Sequence, residues 1–245
     1  MNKLLPHLNF KSWKRIMLKL SGEVLVGKKK YGLDPDKLST IALDISKVYK
    51  HKEICIVVGG GNIFRGVSGA AKGIDRVTAD GMGMLATVIN ALALQNAIEK
   101  NNVSTRVLSA IPMQTICEPF IKRRAIRHLE KGRVIILAAG TGNPYFSTDT
   151  AATLRAAEMN CDVIFKGTSV DGVYDSDPNK SNKSKKYSKV SYKKVLSDNL
   201  KVMDSSAITL ARDNNIPMVV FSILENKSFY TVSKGKGSYT LISEE

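Results

Sequence analysis

Residues 54–66 read Ile54-Cys55-Ile56-Val57-Val58-Gly59-Gly60-Gly61-Asn62-Ile63-Phe64-Arg65-Gly66. The opening run is continuously apolar and mostly β-branched, too short for a helix and without the alternation of a half-exposed strand. It predicts a strand buried on both faces, the kind found in parallel sheets covered by helices. Three glycines at its carboxyl end let an anion approach main-chain N–H groups, and Arg65 can grip phosphate oxygens with two parallel bonds. A tight turn explains one or two glycines, less easily three followed by an arginine. The spacing is neither GxxxxGK[ST] nor GxGxxG, so the expectation of phosphate binding rests on the position at a strand end and not on either motif.

Outward from that strand, the same alternation repeats. Lys14 to Leu20 (KRIMLKL), Val103 to Leu108, Val134 to Ala138, Asp162 to Phe165, Met218 to Phe221 and Tyr239 to Ile242 read as further strands. Asp34-Pro35 marks a helix start that runs to about Tyr49. Met82 to Glu99, Pro119 to Lys131 and Thr150 to Met159 read as helices. Strands separated by helices predict an α/β three-layer sandwich, a mainly parallel central sheet with helices on both faces. Such sheets bind ligands at the carboxyl ends of their strands, so the loops after Leu20, Val58, Ala138 and Phe165 are where chemistry is sought.

The 245 residues suit one large domain over 14–245, preceded by a flexible polar segment over 1–13. That segment carries Pro6 and no apolar run of signal-peptide length, and nowhere do enough apolar residues run together for a membrane span. A cytoplasmic location with no membrane partner is expected. Cys55, Cys117 and Cys161 lie far apart without CxxC or His/Cys spacing, which predicts reduced thiols and no zinc. The net charge of +15 comes from 27 Lys and 10 Arg scattered over the chain. Its densest runs, Lys28 to Lys30 and Lys180 to Lys194, are turn-rich and lack interleaved aromatics, so dedicated nucleic-acid binding is not expected. A basic field also attracts nucleotides.

Four strand-end segments hold the candidate chemistry. Lys19-Leu20-Ser21-Gly22 offers a cation, a hydroxyl and an unhindered backbone, although a strand-end lysine is often merely solvated. Asp80 stands near the start of the long helix, either as its cap or as an acceptor for ribose hydroxyls. The loop from Ala139 to Asp149 is rich in Gly, Thr and Asn, and Ser147, Thr148 or Asp149 can cap the helix after it. The segment from Lys166 to Pro178 carries two turn signals and Tyr174, which can stack on a base or simply pack.

Taken together and in order, KLSGE, VVGGGNIFRG, DGMGMLAT, SAIPM, AAGTGNPYFSTDTAA, VDGVYDSDP and KVMDSSAITLARDN resemble the bacterial UMP kinases of the amino acid kinase family, from about Lys14 to Leu241. That resemblance implies the amino acid kinase fold and phosphoryl transfer from ATP to UMP in pyrimidine nucleotide synthesis, with ATP over the C-terminal half and UMP over the N-terminal half. It implies that Lys19, Leu20, Ser21 and Gly22 hold ATP phosphates, with Gly61 and Arg65 at the junction. Thr168, Tyr174 and Asp177 would hold the ATP nucleoside. Gly60, Asp80 and the run Thr141, Gly142, Asn143, Pro144, Tyr145, Phe146, Ser147 and Thr148 would bind UMP. Lys19, Arg65, Asp149 and Asp204 become the catalytic candidates, Asp149 as organiser of the lysine. Mg²⁺ would come with ATP, without a dedicated protein site, and the assembly would be a homohexamer. Ser147, Gly167 and Ser169 depart from the common pattern, the last where a lysine often follows the threonine. The rival readings are a kinase of the same superfamily with a carboxylate, carbamate or isopentenyl phosphate acceptor, and a non-catalytic nucleotide- or nucleic-acid-binding module.

Overall fold

The structure is a computed structural model that describes residues 10–27, 29, 31–64, 73–176, 178 and 184–244. Its strands are β1 (Arg15–Leu20), β2 (Glu53–Val58), β3 (Thr105–Ser109), β4 (Glu118–Pro119), β5 (Val134–Ala138), β6 (Val163–Thr168), β7 (Val173–Tyr174), β8 (Lys186–Tyr187), β9 (Lys189–Ser191), β10 (Met218–Ser222) and β11 (Thr240–Ser243). The helices are α1 (Pro35–Tyr49), α2 (Arg76–Glu99), α3 (Lys122–Glu130), α4 (Thr148–Glu158), α5 (Tyr192–Ser197), α6 (Ser205–Asp213) and α7 (Ser228–Val232).

One sheet runs β4-β3-β5-β2-β1-β6-β10-β11-β9, and β7 pairs with β8 in a separate ribbon. All neighbours in the large sheet are parallel except β10 and β11. After β1 the chain builds outward through β2 on one side and later returns to place β6 on the other. β1 is therefore the switch point of the sheet, and the crevice at its carboxyl end is where such sheets bind ligands.

Alternation along β1 splits the core into two layers. Ile16, Leu18 and Leu20 pack with α1, α2 and α7, while Met17 faces α3, α4, α5 and α6 beside Cys55, Val57 and Ile164. Lys19 follows Met17 at the strand period and so enters the second layer.

Local signals set the helix ends. Asp34 caps α1, accepting from the N–H groups of Asp36 at 3.0 Å and Lys37 at 3.3 Å, with Pro35 in the first turn. The long helix begins well before Met82, because Asp75 caps it through Val77 and Thr78. Asp80 thus sits inside α2, and its reading as a cap is overturned. The basic helix starts at Lys122 rather than Pro119, since Glu118–Pro119 are extended and pair with β3. Helix α4 opens at Thr148, two residues before the expected start, with Ser147 as its cap. Packing also begins earlier than Lys14. Phe10 lies 4.5 Å from the Trp13 ring and 5.2 Å from that of Tyr239, and Trp13 is buried. Cys55 and Cys161 are buried free thiols and Cys117 is a partly exposed one.

Among the described helices only α2 is long and apolar enough to cross a membrane by length and composition. Its inner face packs against the sheet through Val88, Ala91, Leu94 and Ile98.

Candidate active site at the switch point

Lys19 on β1 and Lys166 on β6 are direct partners in the parallel ladder, so their ammonium groups leave the same face side by side. Like charges placed so are unfavourable on their own. Asp149, in the first turn of α4, lies between them: Lys19 Nζ is 2.6 Å from Oδ1 and Lys166 Nζ is 2.8 Å from Oδ2. All three side chains are largely buried, at 7%, 10% and 16% exposure for Lys19, Lys166 and Asp149. Burial by itself would push the Asp149 carboxyl up, but the two ammonium groups outweigh it and hold it below the ordinary carboxylate range. Burial pulls the Lys166 ammonium below the usual lysine value, helped by the charge of Lys19 and opposed by Asp149. Lys166 also donates to the carbonyl of Val202. Two cations and one carboxylate leave these three side chains one positive charge, with the Asp204 carboxylate near enough to act on Lys166, and the two ammonium groups suit the oxygens of a phosphate chain.

The glycine loop lies beside this cluster. Gly59 donates its N–H to Leu20 O at 2.9 Å, tying the ends of β2 and β1. A Cβ on Gly22 would come within 2.8 Å of both Gly59 O and Gly61 N, and one on Gly60 within 2.8 Å of Gly83 O in α2. These two glycines are needed for close packing of loop on loop and loop on helix, a role apart from any ligand. A Cβ on Gly59 would reach Thr148 Oγ1 at 3.4 Å, so the loops after β1, β2 and β5 meet within one contact of each other.

The loop after β5 is irregular, with Ala139 at φ +62 and Tyr145 at φ +70. Asp80 tethers it: Asp80 Oδ2 accepts from Tyr145 N and from Arg76 Nε, each at 2.8 Å. Thr141 Oγ1 accepts from Asn143 N at 3.2 Å, which rounds the turn. Gly60, Asp80, Asn143, Phe146 and Thr148 line a small cavity of about 130 Å³ here. Pro144 is half-buried in the same loop, and Gly142 is half-buried against Ala110.

On the other side of β1 a cavity of about 450 Å³ is lined by Lys166, Thr168, Tyr174 and the segment from Asp198 to Val202, within the size of small-molecule sites. Tyr174 is steadied by its hydroxyl, which donates to Asp171 at 2.5 Å. Burial opposes the charge on Asp171, yet donation from Ser238, Tyr174 and Lys186 carries its pKa well below the ordinary range.

Asp204 takes a different part from the other carboxylates. It caps α6 by accepting from Ala207 N at 2.8 Å, and it accepts from Thr150 Oγ1 at 2.8 Å and from Ser147 Oγ. It thereby joins the starts of α4 and α6. Arg65 and Asp177 lie outside the described residues. Thr87 and Asn90 were not among the sequence candidates, and Lys166 and Asn62 were given no role of their own within the candidate segments. For Lys166 a signal existed: a lysine interrupts the apolar run VIFKGT at the strand end, as Lys19 does in IMLKLS.

The sequence profile of the amino acid kinase family matches residues 14–222. The chain belongs to the amino acid kinase family. Within it, the uridylate kinase of Zymomonas mobilis is 60% identical over 232 residues, which cover 94% of this chain and 96% of that protein. That of Cereibacter sphaeroides is 59% identical, covering 94% of each. Among solved structures, UMP kinase from Ureaplasma parvum superposes with a TM-score of 0.91 at 41% identity, covering 95% of this chain and 99% of that one. UMP kinase from Bacillus anthracis gives 0.91 at 39% identity, covering 95% and 97%. The amino acid kinase fold read from the sequence is therefore the fold of this chain.

Proposed function

We propose that this chain is a UMP kinase, transferring the γ-phosphoryl of ATP to the phosphate of UMP to give UDP and ADP. The observation that carries the reading is near-full-length identity of about 60% to uridylate kinases. The buried Lys19–Asp149–Lys166 cluster at the switch point of the sheet supports it. ATP occupies the cavity beside Thr168 and Tyr174, with its phosphates over Lys19, Leu20, Ser21 and Gly22. UMP occupies the smaller cavity, its ribose on Asp80 and its base and phosphate along Thr141 to Thr148. The phosphates meet over Gly60 and Gly61.

The acceptor is a phosphate oxygen, already nucleophilic at neutral pH, so transfer depends on alignment and charge neutralisation more than on a base. Lys19 stabilises charge on the transferred group. Asp149 aims Lys19 and Lys166, and Asp204 acts by fixing the start of α4 on which Asp149 stands.

ATP-dependent phosphoryl transfer calls for a divalent cation, and we take it to be Mg²⁺. Among the described residues no three His, Cys, Asp or Glu side chains converge as a metal site. Asp149 is engaged by two ammonium groups and Asp204 by three donors, so these residues suit a cation carried on the nucleotide phosphates and water. The metal supplies charge neutralisation on the phosphates.

The outward face of α2 carries Val77, Met82, Leu85 and Ile89, each between 39% and 51% exposed. An apolar row of that kind favours self-association, in keeping with the homohexamer that the family resemblance implies. The cellular location we propose is the cytoplasm.

The deciding experiment is ADP release measured over UMP, CMP, acetylglutamate, aspartate and isopentenyl phosphate. Turnover fastest with UMP is the expected result; a preference for a carboxylate or for isopentenyl phosphate overturns the assignment. Salt-sensitive binding to nucleic acid with no turnover would favour the binding-module reading.

A further inference from the structure

We propose that Asn62 and Asn90 form a positioning pair that sets the geometry of the glycine loop for phosphoryl transfer. The proposal rests on the reading that the two phosphates meet over that loop. Asn90 lies on the inner face of α2, in an otherwise apolar stretch, and is fully buried; Asn62 ends the glycine run and is 5% exposed. Their amides face each other. Asn62 Nδ2 donates to Asn90 Oδ1 at 3.0 Å, and Asn90 Nδ2 donates back to Asn62 Oδ1 at 2.7 Å. The second N–H of each leaves the ring outward, from Asn90 to Gly59 O at 2.6 Å and from Asn62 to Gly32 O at 2.8 Å. Every amide N–H of the pair is used, so only one orientation of each side chain satisfies the set.

The bond of each amide to the other at best recovers the cost of their desolvation, and the two outward bonds give the Gly59 and Gly32 carbonyls a donor that an apolar pair would not. What the amides add is direction. The bond from Asn90 pins the Gly59 carbonyl toward α2, and in a trans peptide the N–H of Gly60 must then point away from Asn90. The loop after β1 rests on the same pair, since a Cβ on Gly22 would stand 2.4 Å from Asn62 Oδ1. One turn earlier on α2, Thr87 Oγ1 accepts from Ala139 N at 2.8 Å, at the root of the loop after β5. A single helix therefore sets the spacing between the glycine loop and the loop after β5, with the β1 loop registered through Asn62.

The test is Asn90→Ser, which removes the reach to Gly59 and leaves room for water, with Asn90→Asp as the second variant. Each is assayed well below its own melting temperature, on whichever acceptor the parent turns over. Misplacing a reacting group by a fraction of an ångström lowers turnover steeply, so kcat falls about ten- to a hundred-fold while both nucleotide KM values move less than about three-fold. A folded variant with parental kcat overturns the proposal, as does a loss confined to one KM. Failure of both variants to fold assigns the pair to structure alone and overturns it too. A parent that turns over no UMP refutes the functional reading instead, and the ratio of variant to parent on its actual acceptor still judges the pair.

Discussion

Replacing Asp149 by Asn removes the one carboxylate between two lysines that the ladder holds in register. The two contacts are 2.6 and 2.8 Å, and Asp149 is 16% exposed, so little water is at hand to take over. Breaking a buried ion pair by deleting one partner costs about 3–5 kcal/mol, because the survivor is left uncompensated. In a chain of this size each kcal/mol moves the melting temperature by about 2–4 °C, giving a fall of roughly 6–20 °C. Lys166→Met is the control. It leaves Lys19 and Asp149 one to one, and should cost about 1–2 kcal/mol, in the range of ordinary substitutions. Thermal unfolding followed by circular dichroism at pH 7 reads both. Activity, measured by ADP release on folded protein, should drop at least ~10²-fold in Asp149→Asn, since the aim of Lys19 is lost. Equal melting temperatures for the parent and Asp149→Asn, or a larger fall for Lys166→Met, would refute the reasoning from charge count.

The remaining expectations can be checked on the same preparations. Lys19→Ala should fold, because Lys166 still neutralises Asp149, yet lose ~10²-fold or more in kcat; unchanged kcat removes Lys19 from the mechanism. Asp80→Asn should raise the KM for UMP with ATP nearly untouched, the loss of a charged acceptor costing about 1.5–3 kcal/mol. Equal UMP KM values would reduce Asp80 to its role as the tether of Arg76 and Tyr145. The depressed Asp149 carboxyl implies stability that is whole above its unfolded value of about 4 and lost as pH falls through its lower folded value. The gap in urea midpoint between parent and Asp149→Asn should therefore narrow below about pH 4, and a gap that ignores pH would speak against the linkage.

The layers of the fold were legible because each signal is local. Apolar runs such as ICIVV and VIILA have no polar face to expose, and Asp34-Pro35 specifies a helix start within its own turn. Misread boundaries have equally local causes. Asp75 caps the long helix through its own neighbours and starts it at Arg76, six residues before Met82, where the apolar pattern places the start. Pro119 looked like a first helical residue, yet pairing of β4 with β3 draws the chain out straight.

The site divides the same way. Lys19 and the glycines from Gly59 to Gly61 stand at strand ends, which is a property of the chain alone, whereas Asp149 as organiser of the lysine came from the family resemblance. That Lys166 is the ladder partner of Lys19, 147 positions away in sequence, follows from the order β2-β1-β6, which no local pattern encodes. The role of Asp204 in joining two helix starts, and the closure of Asn62 on Asn90, likewise needed the chain folded. Side-chain period and capping act over a few residues and can be read along the chain. The strand order that brings two lysines to one carboxylate is decided by how the whole apolar surface is buried, and it exists only in the tertiary structure.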